Sequence, residues 1–370
     1  MIGIILKLLM MIRSLLLLCF IALLTACSSG SGLEEEQLPT ALSISSMDTF
    51  PIPSSIRALE VVNDSTVWFA GSEGIYGYTK DGGRSWYTDS LRWDTLKPHF
   101  RSIAVTADAV YLLSIASPAL LFRSTDEGKS WLNVYREDDP TAFYDAMTFW
   151  DAQNGIAMGD PTDGCLSVIR TRDGGRTWRK LSCDVLPPAA DGEAAFAASN
   201  SNVTVFGDHA WIVSGGADAR VFHTTDRGES WDVFETPIVS GGQMTGIYTV
   251  DFADAQRGII FGGDWNDKTR NTQNKAVTTD GGRTWQLVAD GQTPGYRSCV
   301  QYAPGTNGQL ILAVGIPGTS YSLNGGQSWT DLMNDSFYTI RFGSDWRTVW
   351  LAGNNKVGKL LLGEGGLETR

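Results

Sequence analysis

An all-β chain of four-stranded blades, closed into a seven-bladed β-propeller, is the fold these 370 residues predict. Three observations carry the prediction. One nine-residue frame recurs six times, the recurrences are spaced as single blades would be, and the chain between them reads as short apolar runs broken by Gly, Asp and Ser.

The six copies are YTKDGGRSW ending at Trp86, RSTDEGKSW at Trp131, RTRDGGRTW at Trp178, HTTDRGESW at Trp231, VTTDGGRTW at Trp285 and YSLNGGQSW at Trp329. The tryptophans are 45, 47, 53, 54 and 44 residues apart, close to the length of a four-stranded blade. Each position has a mechanical reason. The Asp, replaced by Asn324 in the sixth copy, accepts backbone N–H groups inside a tight turn. The Gly two residues on supplies a positive φ, and the flanking Ser or Thr hydroxyls close the turn from both sides. The Trp then starts the next strand and carries a large apolar area into a seam.

Around each frame the chain predicts four short strands. The clearest set is RSIAV, AVYLLSI and LLFRST, then the turn and WLNVY; the same order recurs from Ile56, Phe143, Ala195, Gly246 and Tyr296. After Trp329 come FYTIRF, TVWLAG and KVGKLLL, with neither a frame nor a fourth strand. The segment LSISSMDTF, residues 42–50, alternates apolar and polar residues. It is expected to pair with this last set as its outer strand, so that no edge is left unpaired. That makes seven blades in one domain spanning 41–370; the alternative is a six-bladed ring with a C-terminal appendage.

The first 26 residues read as an export leader, with Arg13, an apolar run from Leu15 to Leu24, and then Leu24-Thr25-Ala26-Cys27. The run is too short and too abruptly ended for a membrane span. Its spacing resembles a bacterial lipoprotein signal, which implies lipidation at Cys27. Residues 27–40, including Ser28-Ser29-Gly30-Ser31-Gly32 and Glu34-Glu35-Glu36, predict a flexible tether. Ser28 resembles the outer-membrane sorting preference, so the expected location is a lipid-anchored envelope protein of the outer membrane. Removing Lys7 and Arg13 with the leader takes the formal net charge from −12 to −14. So acidic a chain lacks the basic footprint that nucleic acid requires.

Cys165 and Cys183 are placed symmetrically about the third frame, opposite one another on a regular hairpin. A disulfide is expected there if the register carries no bulge. Cys299 reads as a small buried residue, and no spacing of Cys and His indicates a metal site. No cofactor fingerprint is present.

In a propeller the loops after the second and fourth strands open on one face, and the frame turns lie on the other. The irregular loops DSLRWDTLKPH, GDPTDGC, DVLPPAADGEA, SGGADAR and GGDWNDKTRNTQNK, the last bearing Trp265, all fall on the first face. Variable loops gathered on a rigid scaffold are the layout of a binding surface. Aligned by their starts, the innermost strands place Arg57, Arg101 and Arg297 at equivalent positions, with Tyr248 and Tyr338 at the same level. Three guanidiniums on an acidic protein favour a carboxylate or an acidic peptide segment. The competing expectation is that they neutralise Asp145, Asp160 and Glu193.

The frame S/T-x-D/N-x-G-x-S/T-W resembles the Asp-box, or BNR, repeat of β-propellers, where it fastens a hairpin and takes no part in catalysis. Sialidases and other glycoside hydrolases share it. That resemblance implies a runner-up reading, glycan hydrolysis, with Asp160, Glu193 and Asp264 as candidate carboxylates; the sialidase Arg-Ile-Pro signature is absent, the sequence there being SSIRALE. GIAMGDPTDG, GEAAFAASN, GGDW and GYRSCVQY resemble the photosystem II stability and assembly factor-like propellers across nearly the whole mature chain. The resemblance implies a membrane-tethered platform that binds a protein or acidic ligand at the loop face. It brings no catalytic residues, so an enzyme is the less favoured expectation.

Overall fold

The computed structural model describes residues 38–365. The leader, Cys27 and most of the tether lie outside the described residues. Those that are described form an all-β propeller. Its strand count corrects the sequence expectation: six sheets form among the described residues, not seven blades. Four of the sheets have four strands and two have six.

The difference comes from one strand. Leu42–Val61 runs unbroken for 20 residues. Its N-terminal half pairs with the C-terminal strand, from Leu42 opposite Glu364 to Pro51 opposite Lys356. Its C-terminal half pairs with Val67–Gly71, from Ile56 opposite Gly71 to Val61 opposite Val67. The set expected to stand alone as a seventh blade therefore shares one hydrogen-bonded ladder with the first, in the order Thr339–Phe342, Thr348–Glu364, Leu42–Val61, Val67–Gly71, Ile75–Thr79 and Tyr87–Ser90. The pairing of the N-terminal segment with the last strand is found as expected, and it leaves neither terminus as a loose edge. Alternation decides which side is buried, with Leu360 and Leu362 at 0 % and 2 % exposure facing the interior.

The other sheets follow the predicted spacing. The second is Phe100–Val105, Val110–Ser114, Ala119–Ser124 and Leu132–Glu137, antiparallel in order. The third sheet runs from Tyr144 to Lys180, the fourth from Val203 to Glu235 and the sixth from Cys299 to Met333. The fifth, Thr245–Phe252 to Gln286–Leu287, is extended by the two-residue strands Glu193–Ala194 and Gly215–Gly216.

The repeated turns are built as the residues require. In the first, Thr79 Oγ1 donates to Asp81 Oδ1 and accepts the Gly83 N–H, both at 2.9 Å. Asp81 in turn accepts the Ser85 N–H at 2.9 Å and the Ser85 hydroxyl at 2.6 Å. Donation by Ser85 holds the Asp81 carboxyl down at about 2, and Ser130 does the same for Asp126. Asn324 keeps the geometry by donating Nδ2 to Ser328 Oγ at 2.8 Å. These side chains spend their hydrogen-bonding capacity inside the turn.

Three of the turns also fasten one sheet to the sheet before it. The hydroxyl of Tyr76 donates to Gly128 O, that of Tyr111 to Gly174 O and the Trp211 indole to Gly281 O, all at 2.8 Å. The seam needs a glycine beside the ring: Gly175 has φ +67°, and a Cβ there would lie 2.2 Å from Tyr111 Cε1. The frame tryptophans pack into the same seams, Trp131 edge-on to Tyr76 at 5.1 Å and Trp329 edge-on to Phe261 at 5.4 Å.

The turns sit beside the first hairpin of each set, with Gly82, Gly174 and Gly281 donating to Ser65, Gln153 and Gln256. The opposite ends of the inner strands, near Arg57, Arg101 and Tyr144, are therefore free to form a separate face.

Cys165 and Cys183 are joined by a disulfide. The register differs from a simple count. Ile169 pairs with Lys180 and Arg170 with Arg179, one residue away from the symmetric pairing. The ladder ends at Lys180, so the bond crosses irregular chain, where Cα atoms 5.6 Å apart satisfy a disulfide without strict opposition.

Candidate functional site

The feature that organises the centre was not legible from strand patterns. Residues 195–202, AFAASNSN, form no strand until Asn202 gives way to Val203, yet each is at most 9 % exposed. Buried backbone without a ladder must find other partners. It finds them on the inner strands around the ring. Asn200 Oδ1 accepts the Met147 N–H and Asn200 Nδ2 donates to Ile103 O, both at 2.9 Å. Ser199 Oγ donates to Ser298 O at 2.6 Å, Ser201 Oγ to Thr249 Oγ1 at 2.8 Å and Thr339 Oγ1 to Ser199 O at 3.0 Å. Arg341 Nη2 donates to Asn200 O at 3.0 Å. The segment thus plugs the axis of the ring. Its run of Ala and Ser suits that place, because only small side chains let one backbone approach several strands at once.

The plug separates two cavities. The one on the face away from the repeated turns, about 340 Å³, is lined by Arg57, Arg101, Asp160, Phe196, Tyr248, Trp265 and Tyr296 among others. The one beneath the plug, about 190 Å³, is lined by Glu60, Asp251, Gln301 and Arg341 with plug residues Asn200 and Ser201. Burial raises Glu60 to about 7 and Asp251 to about 6.

Two of the three predicted arginines meet at the upper mouth. Arg57 donates Nη1 to Ala198 O at 3.2 Å and lies 3.9 Å over the Tyr338 ring. Its Nε has no partner. Arg101 donates to Ala197 O at 2.7 Å. Burial lowers both guanidiniums, Arg101 to about 10, with the charge of Arg57 adding to the effect there. Neither is spent on a carboxylate hydrogen bond, so both keep charge to offer a ligand. Arg297 does not join them. It is 4 % exposed, donates to Tyr296 O and Ser320 Oγ, and lies 3.6 Å from Asp331.

The aromatic side of the mouth is continuous. Tyr248 stacks on Phe196 at 3.9 Å with planes 6° apart, and Tyr296 stands edge-on to Tyr248 at 4.7 Å and to Trp265 at 5.5 Å. Lys268 lies 4.2 Å over Trp265. Tyr338 lies under Arg57 and does not line the cavity. Phe196 and Met244 complete the wall; Phe196 lies in GEAAFAASN, one of the stretches that carry the resemblance, but nothing in its spacing placed it at the mouth.

The three candidate carboxylates are dispersed. Asp160 lines the mouth and accepts the Ala195 N–H at 2.7 Å; burial raises it to about 6. Glu193 is closed off. Its side chain is fully buried and accepts from Arg220 Nε at 3.1 Å and Nη2, from Ser214 Oγ at 2.5 Å and from the Ala190 N–H at 2.8 Å. Asp264 caps its own loop, accepting the Asn266 N–H at 2.8 Å, and is outside the mouth lining. Asp145 sits behind Asp160 and Arg101, fully buried, with neither oxygen in full hydrogen-bond geometry.

No family model matches the chain. It is 23 % identical over 327 residues to the photosystem II assembly lipoprotein Ycf48 of Synechococcus sp. (strain CC9902), covering 77 % of this chain and 93 % of that protein. Among solved structures, YCF48 bound to D1 peptide superposes with a TM-score of 0.63 at 15 % identity, over 88 % of this chain and 99 % of that one. The chain is a β-propeller similar to these photosystem II assembly factors. YCF48 from Cyanidioschyzon merolae gives a TM-score of 0.60 at 16 % identity, over 85 % and 98 % of the two chains. Within this propeller the plug comes from GEAAFAASN, Asp160 from GIAMGDPTDG, Trp265 from GGDW and Tyr296 from GYRSCVQY, so all four stretches that carry the resemblance converge on one mouth.

Proposed function

We propose that this propeller is a lipid-anchored platform whose upper mouth binds a carboxylate-bearing segment of a partner protein. The observation that carries the reading is the convergence of Arg57 and Arg101, without carboxylate hydrogen bonds, on one cavity with a continuous aromatic wall. A guanidinium pair fits a carboxylate, and the rings fit the apolar side chain next to it. Support comes from the assembly lipoprotein similar to this chain and from the similar propeller solved with a peptide bound. The anchor rests on the Leu-Thr-Ala-Cys27 spacing, and an outer-membrane destination rests on Ser28 alone. No helix among the described residues is long and apolar enough to cross a membrane.

Hydrolysis of a glycosidic bond calls for two carboxylates across it. Of the three candidates, only Asp160 reaches the mouth, so the binding reading is favoured. Its test is calorimetric titration with a short acidic peptide ending in a free carboxylate, against the same peptide amidated. Arg101→Gln is expected to weaken binding at least about tenfold, the low end for loss of a charge-assisted hydrogen bond. Equal affinity for both peptides, or an unaffected variant that is folded, would overturn the reading.

A further inference from the structure

The Asp145 carboxyl is the least satisfied polar group near the mouth. It is 0 % exposed, and neither oxygen has a side-chain partner; the Ala197 N–H is directed at the carboxyl, although buried carboxylates are normally fully paired or neutralised. Asp160, at the mouth, is near enough for its charge to act on Asp145. The groups facing the two acids can be named. Arg101 faces them from the strand Phe100–Val105, with Arg57 and Tyr338 beyond it. The plug contributes the Ala195 N–H to Asp160 and the Ala197 N–H toward Asp145. Glu193 and Arg220 are closed on one another at the start of the plug. Glu60 and Asp251 line the lower cavity, on the other side of the plug.

Arg101, with Arg57 beyond it, therefore faces two acids, Asp145 sealed from water and Asp160 at the cavity wall. If both acids ionise, Arg101 is neutralised internally and a third negative charge is repelled. If the pair holds a proton, that repulsion is relieved. Resting on the carboxylate-binding reading above, we propose that the mouth takes up a proton together with its carboxylate ligand, and that the Asp145–Asp160 pair holds that proton beside Arg101.

The direction of the linkage follows from the environment. Burial raises both acids, Asp160 to about 6, and the Asp160 charge adds to the rise of Asp145, so ionisation of one disfavours ionisation of the other. An incoming carboxylate adds another like charge and raises the Asp160 step again, by about one unit or more. Ligand affinity is then highest below pH 6 and falls as pH rises through the Asp160 step. The ligand's own carboxylate is ionised throughout if measurements stay above pH 5.

The experiment is calorimetry with the acidic, free-carboxylate peptide between pH 5.5 and 8, in two buffers of different ionisation enthalpy. The expected result is affinity about tenfold weaker at pH 8 than at pH 5.5, with proton uptake on binding near pH 6.5. Asp160→Asn, which keeps an acceptor for the Ala195 N–H, is expected to bind tightly at both ends of the range and to abolish the uptake. Glu60→Gln, in the lower cavity, is expected to leave the pH profile unchanged. Tight binding by wild type with no pH dependence and no uptake overturns this proposal while leaving the binding reading intact. No binding of the peptide at any pH sinks the binding reading itself. A pH profile abolished by Glu60→Gln, or retained in Asp160→Asn, moves the proton to another group and refutes the assignment.

Discussion

Substitution of Glu193 by Ala is expected to destabilise the fold severely, because the carboxylate is the counter-charge of a buried guanidinium. Its side chain is 0 % exposed and that of Arg220 12 %. Four donors converge on it, two from Arg220 and one each from Ser214 Oγ and the Ala190 N–H. Hydrogen bonding to Glu193 is also what raises the Arg220 guanidinium above its ordinary value. Removing one partner of such a pair costs about 3–5 kcal/mol, since the charge left behind is neither hydrated nor paired. Replacing both partners by apolar residues of similar volume removes the stranded charge, so Glu193→Leu with Arg220→Met is expected to cost less than Glu193→Ala alone. Urea denaturation of the wild type, both single variants and the double variant measures this, from shifts in midpoint at a common slope. A loss below about 1 kcal/mol in Glu193→Ala, the range of an exposed ion pair, would refute the reasoning. So would a double variant as unstable as the two single losses combined.

Two further outcomes follow from the fold. Replacing both Cys165 and Cys183 by Ala opens a link between residues 18 apart and is expected to cost about 3 kcal/mol by loop entropy, with free-thiol mass under non-reducing conditions as the contrary sign. Deleting residues 42–50 uncovers Leu360 and Leu362, which are 0 % and 2 % exposed, at about 1.5–3 kcal/mol each before the ladder itself is counted. A thermal midpoint equal to that of the full chain would show that the N-terminal strand does not close the ring.

Much of this architecture was written locally. Thr79, Asp81, Gly83, Ser85 and Trp86 make their turn with one another, so the same spacing anywhere in the chain announces the same hairpin. The alternation in residues 42–50 marked an edge strand, and its partner was deduced from the set that lacked one. Arg57 and Arg101 were located by aligning strand starts, because repeats carry register from one copy to the next.

What the sequence could not decide was set by distance in space. Whether the last set stands alone depends on Leu42–Val61 continuing as one strand from one partner to the next; the register shifts between Pro51 and Ser55 but the strand does not end, so it joins two ladders where a local pattern suggests two blades. Arg297 shares its strand position with Arg57 and Arg101 but meets Ser320 and Asp331, because its environment comes from its own sheet and not from the axis. Glu193 read either as a candidate catalytic carboxylate or as a partner of Arg57, Arg101 and Arg297, whereas Arg220, 27 residues on, folds against it. The plug shows the division most clearly. AFAASNSN has no strand or helix period; GEAAFAASN marks a resemblance but not a shape, and the conformation is held by partners from Ile103 to Arg341. Turns and strands are specified by neighbours in sequence, whereas the closed ring, its plug and its mouth exist only once strands hundreds of residues apart bring their inner edges to a common axis.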